Sequence, residues 1–266
     1  MRESRLALVT GASSGIGMEM CRLLAGINIP IIMTGRNIGR LNSLAEELRQ
    51  KYQEKQDSSS QIISFGADLQ TEEGRSSVVQ AIWKYAPDLI VNNAGIGLYG
   101  NALSHETKEQ LELIEVNVRA LTEFTLEGAK AMVKAKRGGV ILNVSSACDH
   151  LVFPDFAVYA ASKAFVTSFS NSLYYEMLPL GVHILTACPG MVSTNFRKRA
   201  SDGKFRTSFS SMSARFAAEE LWKQIQRKEK RVVFDWKTRL GLLLAKCLPE
   251  KWTASILSHS IDQRRP

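Results

Sequence analysis

Short runs rich in β-branched and other apolar residues alternate with longer helical patterns along the whole of this 266-residue chain. The strand-like runs are Leu6–Thr10, Ile29–Thr34, Ile62–Ala67, Leu89–Asn92, Val140–Val144, Val182–Ala187 and Val232–Phe234. The clearest helical stretches are Ile38–Gln53, Thr71–Tyr85, Lys108–Ala135 and Ala157–Leu178. Strands that alternate with helices form βαβ units, whose parallel sheet is covered by helices on both faces. The pattern therefore predicts an α/β fold with a doubly wound parallel sheet.

No linker divides the chain, whose length is near the upper size of one α/β domain. The serine-rich stretch Gln56–Gln61 is short, so we expect a surface loop there and not a domain boundary. We expect residues 1–235 to form the main domain, with residues 236–266 as an amphipathic extension of it. Residues 195–211 show no clean period and follow a strand, so we expect a mobile substrate flap there.

The chain is basic, with a net charge of +8. Such a balance favours anionic partners such as dinucleotide phosphates, acidic carrier proteins or lipid headgroups, although a merely basic surface is an equal alternative. We expect no nucleic-acid partner, because nothing beyond net charge supports one. The flap carries a basic cluster that suits an anionic substrate or carrier, or is simply solvated: Arg197, Lys198, Arg199, Lys204 and Arg206.

The cysteines show neither CxxC pairing nor the spacing of metal ligands, so no metal site is expected. They are Cys21, Cys148, Cys188 and Cys247, and we expect them to be small buried residues in a reducing cytoplasm. The first strand begins by Arg5, which leaves no room for a signal peptide. The late apolar run Leu240–Leu248 is too short to span a bilayer. These features predict a cytoplasmic protein.

A glycine-rich turn follows the first strand-like run. Its glycines have the spacing G-x-x-x-G-x-G, at Gly11, Gly15 and Gly17. Such a turn lets the backbone approach a pyrophosphate and opens a helix whose N-terminal amides favour anions. Glycine turns also occur for steric reasons alone, but the position after the first strand favours nucleotide binding.

The end of the second strand indicates which dinucleotide is preferred. A site that prefers NAD usually places an acidic residue there to hold the ribose 2′-hydroxyl. This chain has Arg36 instead, whose planar guanidinium can hold a 2′-phosphate. We therefore expect NADP(H), against the alternative that Arg36 is a solvated loop charge.

Tyr159 and Lys163 lie four residues apart in a helical stretch. Residues at i and i+4 share one face of a helix, so an ammonium there is expected to lower the pKa of the phenol. A phenol with a lowered pKa can exchange a proton with a carbonyl or alcohol near neutral pH. The pair thus points to redox chemistry.

Further patches lie at predicted strand ends: Asp68-Leu69, Asn92-Asn93-Ala94-Gly95, Ser145-Ser146 and Pro189-Gly190. Together with the glycine turn, Asn117 and the Tyr159/Lys163 pair, the chain resembles the short-chain dehydrogenase/reductase family from Ala7 to about Thr194. The resemblance implies a single-domain Rossmann fold of about seven parallel strands, usually assembled as a homodimer or homotetramer.

The resemblance also implies catalytic roles. Tyr159 would be the general acid in reduction and the base in oxidation, and Lys163 would lower its pKa and hold the nicotinamide ribose. Ser146 would hydrogen-bond the substrate oxygen, whereas Ser145 would point the other way along the strand. Asn117 would hold a water that links Lys163 to solvent. Taken singly, each of these residues could also be purely structural. Tyr159 could be a buried helix tyrosine, Asn117 a mid-helix polar residue and Ser146 a strand-end cap.

The remaining contacts implied by the resemblance are to the cofactor. Asp68 and Leu69 would flank the adenine, Asn93 and Gly95 would line the adenosine side, and Thr194 would meet the nicotinamide carboxamide. The other expected cofactor-binding residues are Gly11, Ser13, Ser14, Gly15, Ile16, Gly17, Arg36, Ala94, Asn117, Tyr159, Lys163, Pro189, Gly190 and Val192.

The function expected from these residues is NADPH-dependent reduction of a hydrophobic ketone or aldehyde, such as a 3-oxoacyl or steroid-like compound. The alternatives are an NADP-linked alcohol dehydrogenase and a non-catalytic NADP(H)-binding regulator. The substrate pocket is expected to be apolar, with Leu151, Val152, Phe153, Phe156, Phe196, Phe205 and Phe209 around it. His150 and Cys148 are weaker candidates for substrate contact, since a loop histidine is usually solvated and a small cysteine usually fills space.

The C-terminal extension carries apolar residues at spacings of three and four, which predict one helical stripe. They are Trp236, Leu240, Leu243, Leu244, Cys247 and Leu248, with Lys237, Arg239 and Lys246 on the opposite side. The stripe could cover the substrate pocket, bury a subunit interface or rest on an anionic membrane surface. We expect packing against the body or a partner subunit, and peripheral membrane contact stays open.

Overall fold

The computed structural model describes residues 6–53, 61–149, 151–201 and 211–262. Within these ranges the strands are β1 Ala7–Thr10, β2 Ile31–Gly35, β3 Ile62–Gly66, β4 Leu89–Asn92, β5 Gly139–Val144, β6 Val182–Cys188, β7 Val192–Ser193, β8 Met212–Ser213 and β9 Arg231–Val233. The helices are α1 Gly15–Gly26, α2 Ile38–Leu48, α3 Glu72–Tyr85, α4 Thr107–Ile114, α5 Leu121–Lys134, α6 Ala157–Met177, α7 Asn195–Ala200, α8 Ala214–Arg227, α9 Trp236–Cys247 and α10 Glu250–Asp262.

Seven of these strands form one parallel sheet in the order β3-β2-β1-β4-β5-β6-β9. The chain winds outward from β1 in one direction and from β4 in the other. The connections after β1 and β4 therefore lead to opposite faces of the sheet. Between them a crevice opens at the carboxyl edge, the usual ligand position in such sheets. The predicted doubly wound α/β fold is confirmed.

The strands are buried on both faces because each alternate side chain enters a different core. Val9 and Val91 pack with the helices α1, α2 and α8, whereas Leu8 and Ile90 pack with α3, α5 and α6. Such continuous apolar runs are typical of a sheet covered on both sides. The two cores hold the carboxyl ends of β1, β4, β5 and β6 in fixed positions beneath the crevice.

The stretch Lys108–Ala135, predicted as one helix, is divided into three parts. The α4 helix ends at Ile114, residues Glu115–Ala120 form a π-helical segment, and α5 continues from Leu121. Wider π turns of this kind are frequently found at functional sites. Asn117 lies within this segment, at the inner end of the crevice.

Part of the predicted flap lies within the described residues. Val192 and Ser193 pair with Met212 and Ser213 in a small parallel sheet, and α7 lies between these two strands in the chain. The amide of Tyr99, in the loop after β4, donates to the carbonyl of Ala200 over 2.7 Å. This bond ties the end of α7 to the crevice. Residues 202–210, including the predicted Lys204, Phe205, Arg206 and Phe209, lie outside the described residues.

The C-terminal extension is a pair of helices. Asp235 caps α9 by accepting hydrogen bonds from the amides of Lys237 and Thr238 at 3.2 and 3.3 Å. Pro249 separates α9 from α10, as expected for a residue that cannot continue a helix. Neither of these helices, nor any other that the structure describes, has the length and apolar character needed to cross a membrane.

Candidate active site

The glycine turn between β1 and α1 forms the floor of the crevice. Gly11 and Gly15 have φ values of +67° and +59°, in the left-handed region that favours glycine. The side chain of Asn93 donates to the carbonyl of Thr10 at 2.9 Å, and the amide of Ala94 donates to Thr10 Oγ1 at 3.0 Å. The loops after β1 and β4 are therefore held together beneath the space above them.

A cavity of about 830 Å³ lies above this turn, and most of the residues predicted for the site line it. They are Gly11, Ser13, Ser14, Gly15, Ile16, Arg36, Asp68, Leu69, Asn93, Ala94, Gly95, Ser146, Tyr159, Lys163, Pro189, Gly190, Val192 and Thr194. These residues come from α6 and from the segments that follow six different strands, so the fold, and not local sequence, brings them together.

Two predicted cofactor contacts, Gly17 and Asn117, do not line the cavity. Gly17 lies under the turn, where a Cβ atom would come within 2.5 Å of both Asn93 Nδ2 and the Gly11 carbonyl oxygen. Its missing side chain allows close packing of α1 against the turn. The sequence pattern could not distinguish this packing glycine from the glycines that face the cavity.

Asn117 is fully buried, and its amide group is used within the protein. Its Oδ1 accepts from the amide of Ile96 at 2.9 Å, and its Nδ2 donates to the Ile96 carbonyl at 2.9 Å and to Ser162 Oγ at 3.1 Å. The side chain therefore joins the π segment to the loop after β4 and to α6. Its expected role as a water ligand stays a prediction that rests on its position near Lys163.

Tyr159, Lys163 and Ser146 meet at the inner end of the cavity. Tyr159 and Lys163 lie on α6 and are both buried, and Ser146 follows β5 and hydrogen-bonds the Tyr159 phenol. Lys163 Nζ donates to the Val144 carbonyl at 2.9 Å and lies 5.6 Å from the centroid of the Tyr159 ring. The three predicted catalytic side chains thus share one buried corner.

The electrostatics of this corner differ from the sequence-based expectation. Burial raises the pKa of the Tyr159 phenol well above its ordinary value, although the hydrogen bond from Ser146 acts in the opposite direction. Burial also lowers the pKa of the Lys163 ammonium to about 8. In this structure desolvation outweighs the contacts that would lower the phenol pKa, so the expected effect of Lys163 stays a prediction. At neutral pH the phenol carries its proton.

Ser145 faces away from Ser146, into a buried polar network. Its hydroxyl donates to the Lys163 carbonyl at 2.9 Å and lies 2.8 Å from Thr167 Oγ1, which donates to Asp149 Oδ2 at 2.6 Å. Asp149 in turn accepts from Arg231 Nη2 at 3.1 and 3.0 Å. The network joins the segment that carries Ser146 to α6 and to the edge strand β9. Sequence reasoning did not identify Asp149, Thr167 or Arg231.

A buried arginine, Arg75, supports the opposite side of the crevice. Arg75 on α3 donates to the carbonyls of Leu69 and Gln70 at 3.1 Å each and pairs with Glu115 at 2.9 Å. It thereby fixes the Asp68-Leu69 loop relative to the π segment that carries Asn117. No feature of the sequence had singled out this residue.

Three arginines line the outer end of the cavity: Arg36, Arg40 and Arg199. Arg199 Nη2 donates to Ser14 Oγ at 3.4 Å, which brings α7 over the glycine turn. Burial, and then the charges of Arg36 and Arg40, lower the pKa of the Arg199 guanidinium. Three cations that repel one another in this way form a site for an anion. Arg36 was predicted, whereas Arg40 was missed although it lies one helical turn beyond it.

The remaining wall of the cavity is apolar. Tyr99 stacks on Phe156 at 3.8 Å between ring centroids, Phe156 stacks on Tyr159 at 4.1 Å, and Phe196 lies 5.7 Å from Tyr159. The predicted Leu151, Phe153, Phe156 and Phe196 all line the cavity, together with Cys148. Val152 is exposed and faces away, and His150 lies outside the described residues.

The Cys148 thiol donates to Ser146 Oγ at 3.2 Å. Burial raises its pKa to about 11, so it remains a thiol at neutral pH. It therefore fills space beside Ser146 and offers no thiolate nucleophile. Among the described residues, no cluster of three His, Cys, Asp or Glu side chains is placed to hold a metal ion.

The C-terminal helices close the cavity, but not with the face that the sequence predicted. Thr238, Leu242 and Ala245 of α9 and Leu257 of α10 line it. The predicted stripe of Trp236, Leu240, Leu243, Leu244, Cys247 and Leu248 is exposed, although Leu244 and Leu248 also touch the cavity at its border. Apart from Leu244 and Leu248, the stripe does not pack against its own chain, because α9 is apolar on both sides and turns mostly smaller side chains inward. Packing against a partner subunit stays a prediction.

Residues 5–204 match the short chain dehydrogenase family. The mouse protein named dehydrogenase/reductase SDR family member 11 is 33% identical over 205 residues, which cover 74% of this chain and 77% of the mouse protein. A solved short-chain dehydrogenase from Sphingobium yanoikuyae, in complex with NADPH, has a TM-score of 0.80 at 24% identity and covers 91% of this chain and 93% of its own. A Burkholderia phymatum structure in complex with NAD has a TM-score of 0.79 at 19% identity, over 92% and 93% of the two chains. The chain belongs to the short-chain dehydrogenase/reductase family of oxidoreductases.

Proposed function

We propose that this protein is an NADPH-dependent carbonyl reductase that acts on a hydrophobic ketone or aldehyde. The observation that carries the proposal is the buried Tyr159 phenol, which keeps its proton, is hydrogen-bonded by Ser146 and lies against the apolar wall formed by Phe156 and Phe196. A protonated donor in an apolar pocket suits transfer of a proton to a developing alkoxide. The oxidative direction would need the phenolate, which burial disfavours.

The residues around the cavity fit a dinucleotide. The glycine turn offers backbone at the N-terminus of α1, where amides favour a pyrophosphate. A Cβ atom on Gly95 would lie 3.2 Å from Asn117 Oδ1 and 3.6 Å from Lys163 Nζ, so the missing side chain keeps the space beside Lys163 open. Gly11, Gly15, Asp68, Leu69, Asn93 and Thr194 would hold the remaining parts of the cofactor.

The arginine cluster supports NADP(H) over NAD(H). Arg36 and Arg40 lie at the end of β2 and in the first turns of α2, next to where the adenosine ribose binds in this fold. Asp68 is the one carboxylate among the described residues that line the cavity. A 2′-phosphate would relieve the repulsion among the three guanidiniums and form charge-assisted hydrogen bonds with them. Solved structures that are similar to this chain hold NADPH in one case and NAD in another. We therefore attribute the preference between the two cofactors to these side chains and not to the fold.

When bound, the reduced nicotinamide supplies the hydride that the substrate carbon receives. Tyr159 would donate its proton to the substrate oxygen, and Ser146 would orient that oxygen toward the phenol. Lys163, held by the Val144 carbonyl, keeps a charge beside the phenol below about pH 8. The Phe153, Phe156 and Phe196 rings exclude water from this corner, which strengthens the electrostatic contacts there.

The apolar wall also limits the substrate. A 3-oxoacyl chain, a steroid or another hydrophobic ketone would bury its surface against Leu151, Phe153 and the inner sides of α9 and α10. Small polar sugars would leave this wall without a partner. Substrate class is best tested by NADPH consumption across 3-oxoacyl thioesters, steroids, small ketones and sugars, each repeated with NADH. Turnover of the apolar compounds with NADPH is expected, and turnover of sugars alone, or of any compound with NADH alone, would contradict the proposal.

We further propose that the protein assembles as a homodimer or homotetramer in the cytoplasm. Phe165 and Tyr175 on α6 and Leu126 on α5 are exposed large side chains outside the cavity. Their burial between copies would explain the exposure on these two helices. Light scattering of the purified chain should give a multiple of the chain mass, and a strictly monomeric mass would contradict this part.

A further inference from the structure

The two C-terminal helices expose an unusual amount of apolar surface. Six large side chains form what we call the C-terminal apolar face: Trp236, Leu240, Leu243, Leu244, Trp252 and Ile256. Between 49% and 66% of each is exposed. Most other large apolar residues of the described chain are buried in the two cores on the sheet. Contiguous apolar patches of this kind usually mark interaction sites.

The geometry of the helices directs this face away from the cavity. On α9, Trp236, Leu240 and Leu243 lie on one side at helical spacing, opposite Thr238, Leu242 and Ala245, which line the cavity. On α10, Trp252 and Ile256 are one turn apart and exposed, and only Trp252 of the two lies clear of the cavity, whose border Ile256 touches beside Leu257. Trp236, Leu240, Leu243 and Trp252 therefore point away from the substrate site, whereas Leu244 and Ile256 lie at its border.

Positive charge surrounds the face. Between Trp236 and Pro266 the sequence has six Lys or Arg residues and two Asp or Glu residues, so half of the net charge of +8 falls in this segment. Lys237, Arg239 and Lys251 are exposed beside the apolar side chains, and Lys237 Nζ lies 5.9 Å from the centroid of the Trp236 ring. Tryptophan, leucine and basic residues in this arrangement are typical of helices that lie in a membrane interface.

We propose that the C-terminal apolar face binds the surface of an anionic lipid bilayer. The apolar side chains would enter the boundary between headgroups and acyl chains, and the nearby cations would be attracted to anionic lipid. Helices of 12 and 13 residues separated by a proline suit a position in the plane of the interface and not across it. This binding does not depend on the reductase activity.

A second copy of the chain is the less suitable occupant. In a symmetric dimer the same patch faces itself, so Lys237, Arg239 and Lys251 of both copies would be brought together. Acidic partners on α9 and α10 are few, because Glu250 and Asp262 are the acidic residues in them. An anionic bilayer supplies the missing negative charge and an apolar layer at the same time.

The proposal is tested by co-sedimentation of the full-length protein with vesicles of phosphatidylcholine alone and of phosphatidylcholine mixed with phosphatidylglycerol. We expect binding to the mixed vesicles, at least about tenfold weaker binding to the neutral ones, and weakening by added salt. The double variant Trp236→Ser/Trp252→Ser should bind the mixed vesicles at least about tenfold more weakly. Leu103→Ser is the matched control, because Leu103 is 96% exposed and lies in the loop after β4.

Circular dichroism and NADPH binding should be unchanged in both variants, which excludes unfolding as the cause of lost binding. Quenching of tryptophan fluorescence by brominated lipid gives a second readout that depends on depth in the bilayer. The variant Trp236→Phe/Trp252→Phe keeps the face apolar, so it should still bind but show little quenching.

Several results would overturn the proposal. One is a wild-type protein that binds neither kind of vesicle, and another is a serine double variant that binds as tightly as the wild type. A third is light scattering in which the serine double variant alone loses an oligomeric state, since that would make a second copy the occupant of the face.

Discussion

Lys163 Nζ donates a 2.9 Å hydrogen bond to the main-chain carbonyl of Val144, the last residue of β5. The bond anchors a buried ammonium to the sheet, beside the phenol of Tyr159 on the same helix. Because the ammonium is removed from water, its pKa is lowered to about 8, and its charge is retained at neutral pH at a cost to stability.

Replacing Lys163 by methionine should make the stability of the protein less dependent on pH. In the wild type the unfolded chain binds this proton more tightly than the folded one, so the free energy of unfolding rises with pH between about 8 and about 10.5. The free energy of unfolding of the wild type, relative to Lys163→Met, should therefore increase by about 2 kcal/mol from pH 7 to pH 9.5. Urea unfolding without cofactor at both values measures this difference. The matched control is Lys108→Met at an 86% exposed lysine, where the difference should stay constant.

Replacing Arg199 by alanine should weaken NADPH binding much more than NADH binding. Arg199 shares the outer end of the cavity with Arg36 and Arg40, and loss of one charge-assisted contact costs about 1.5–3 kcal/mol, or roughly tenfold to a hundredfold in affinity. Arg36→Ala should act in the same direction. Calorimetric titration of both cofactors measures the effect, with Arg215→Ala as control, since Arg215 is 82% exposed on α8. Equal affinity of the wild-type protein for NADPH and NADH would refute the proposed phosphate site.

Removing one partner of the buried Asp149–Arg231 pair should destabilise the fold. Asp149→Asn or Arg231→Met is expected to lower the free energy of unfolding by about 2–3 kcal/mol, less than for a fully buried pair because the Arg231 side chain is 28% exposed. The double variant should cost clearly less than the sum of the two. Urea unfolding of all four proteins gives the coupling free energy. Additive costs would mean that the two side chains act independently.

Two glycine substitutions should have opposite effects. Gly17→Ala brings a Cβ atom within 2.5 Å of Asn93 Nδ2 and the Gly11 carbonyl, so it should cost about 1–3 kcal/mol and distort the nucleotide turn. Gly241→Ala on α9 meets no atom within 4 Å and should stabilise the protein by about 0.5–1 kcal/mol through helix propensity. Thermal unfolding distinguishes them, and a Gly17→Ala variant as stable as the wild type would contradict the packing role.

Local sequence patterns predicted the sheet and most of the cavity lining well. The alternation of strands and helices and the turn from Gly11 to Gly17 depend on short-range spacing, and the structure follows them closely. Periodicity did not show which side of α9 faces the cavity, because Leu240 and Leu243 on one face and Leu242 on the other give similar patterns. Tertiary packing alone decides which face turns inward.

Other features depend on contacts that spacing does not encode. Arg199 reaches Ser14 from 185 residues away, and Arg75 joins two loops that lie apart in the sequence. The pKa of Tyr159 could not be inferred from its spacing to Lys163, because burial by Phe156 and other residues outweighs the effect of a neighbouring charge. Asn117 was identified as a site residue, but its clamp on Ile96 becomes visible only in three dimensions.

The role of Tyr159 as proton donor is tested most directly by comparing wild type and Tyr159→Phe with the best substrate found for the wild type. Phenylalanine keeps the ring that stacks on Phe156 and removes only the hydroxyl group. NADPH should bind both proteins with similar affinity, while kcat of the variant for carbonyl reduction should be about 10²–10⁴-fold lower. A Tyr159→Phe protein that binds NADPH and reduces the substrate at the wild-type rate would contradict the proposed mechanism.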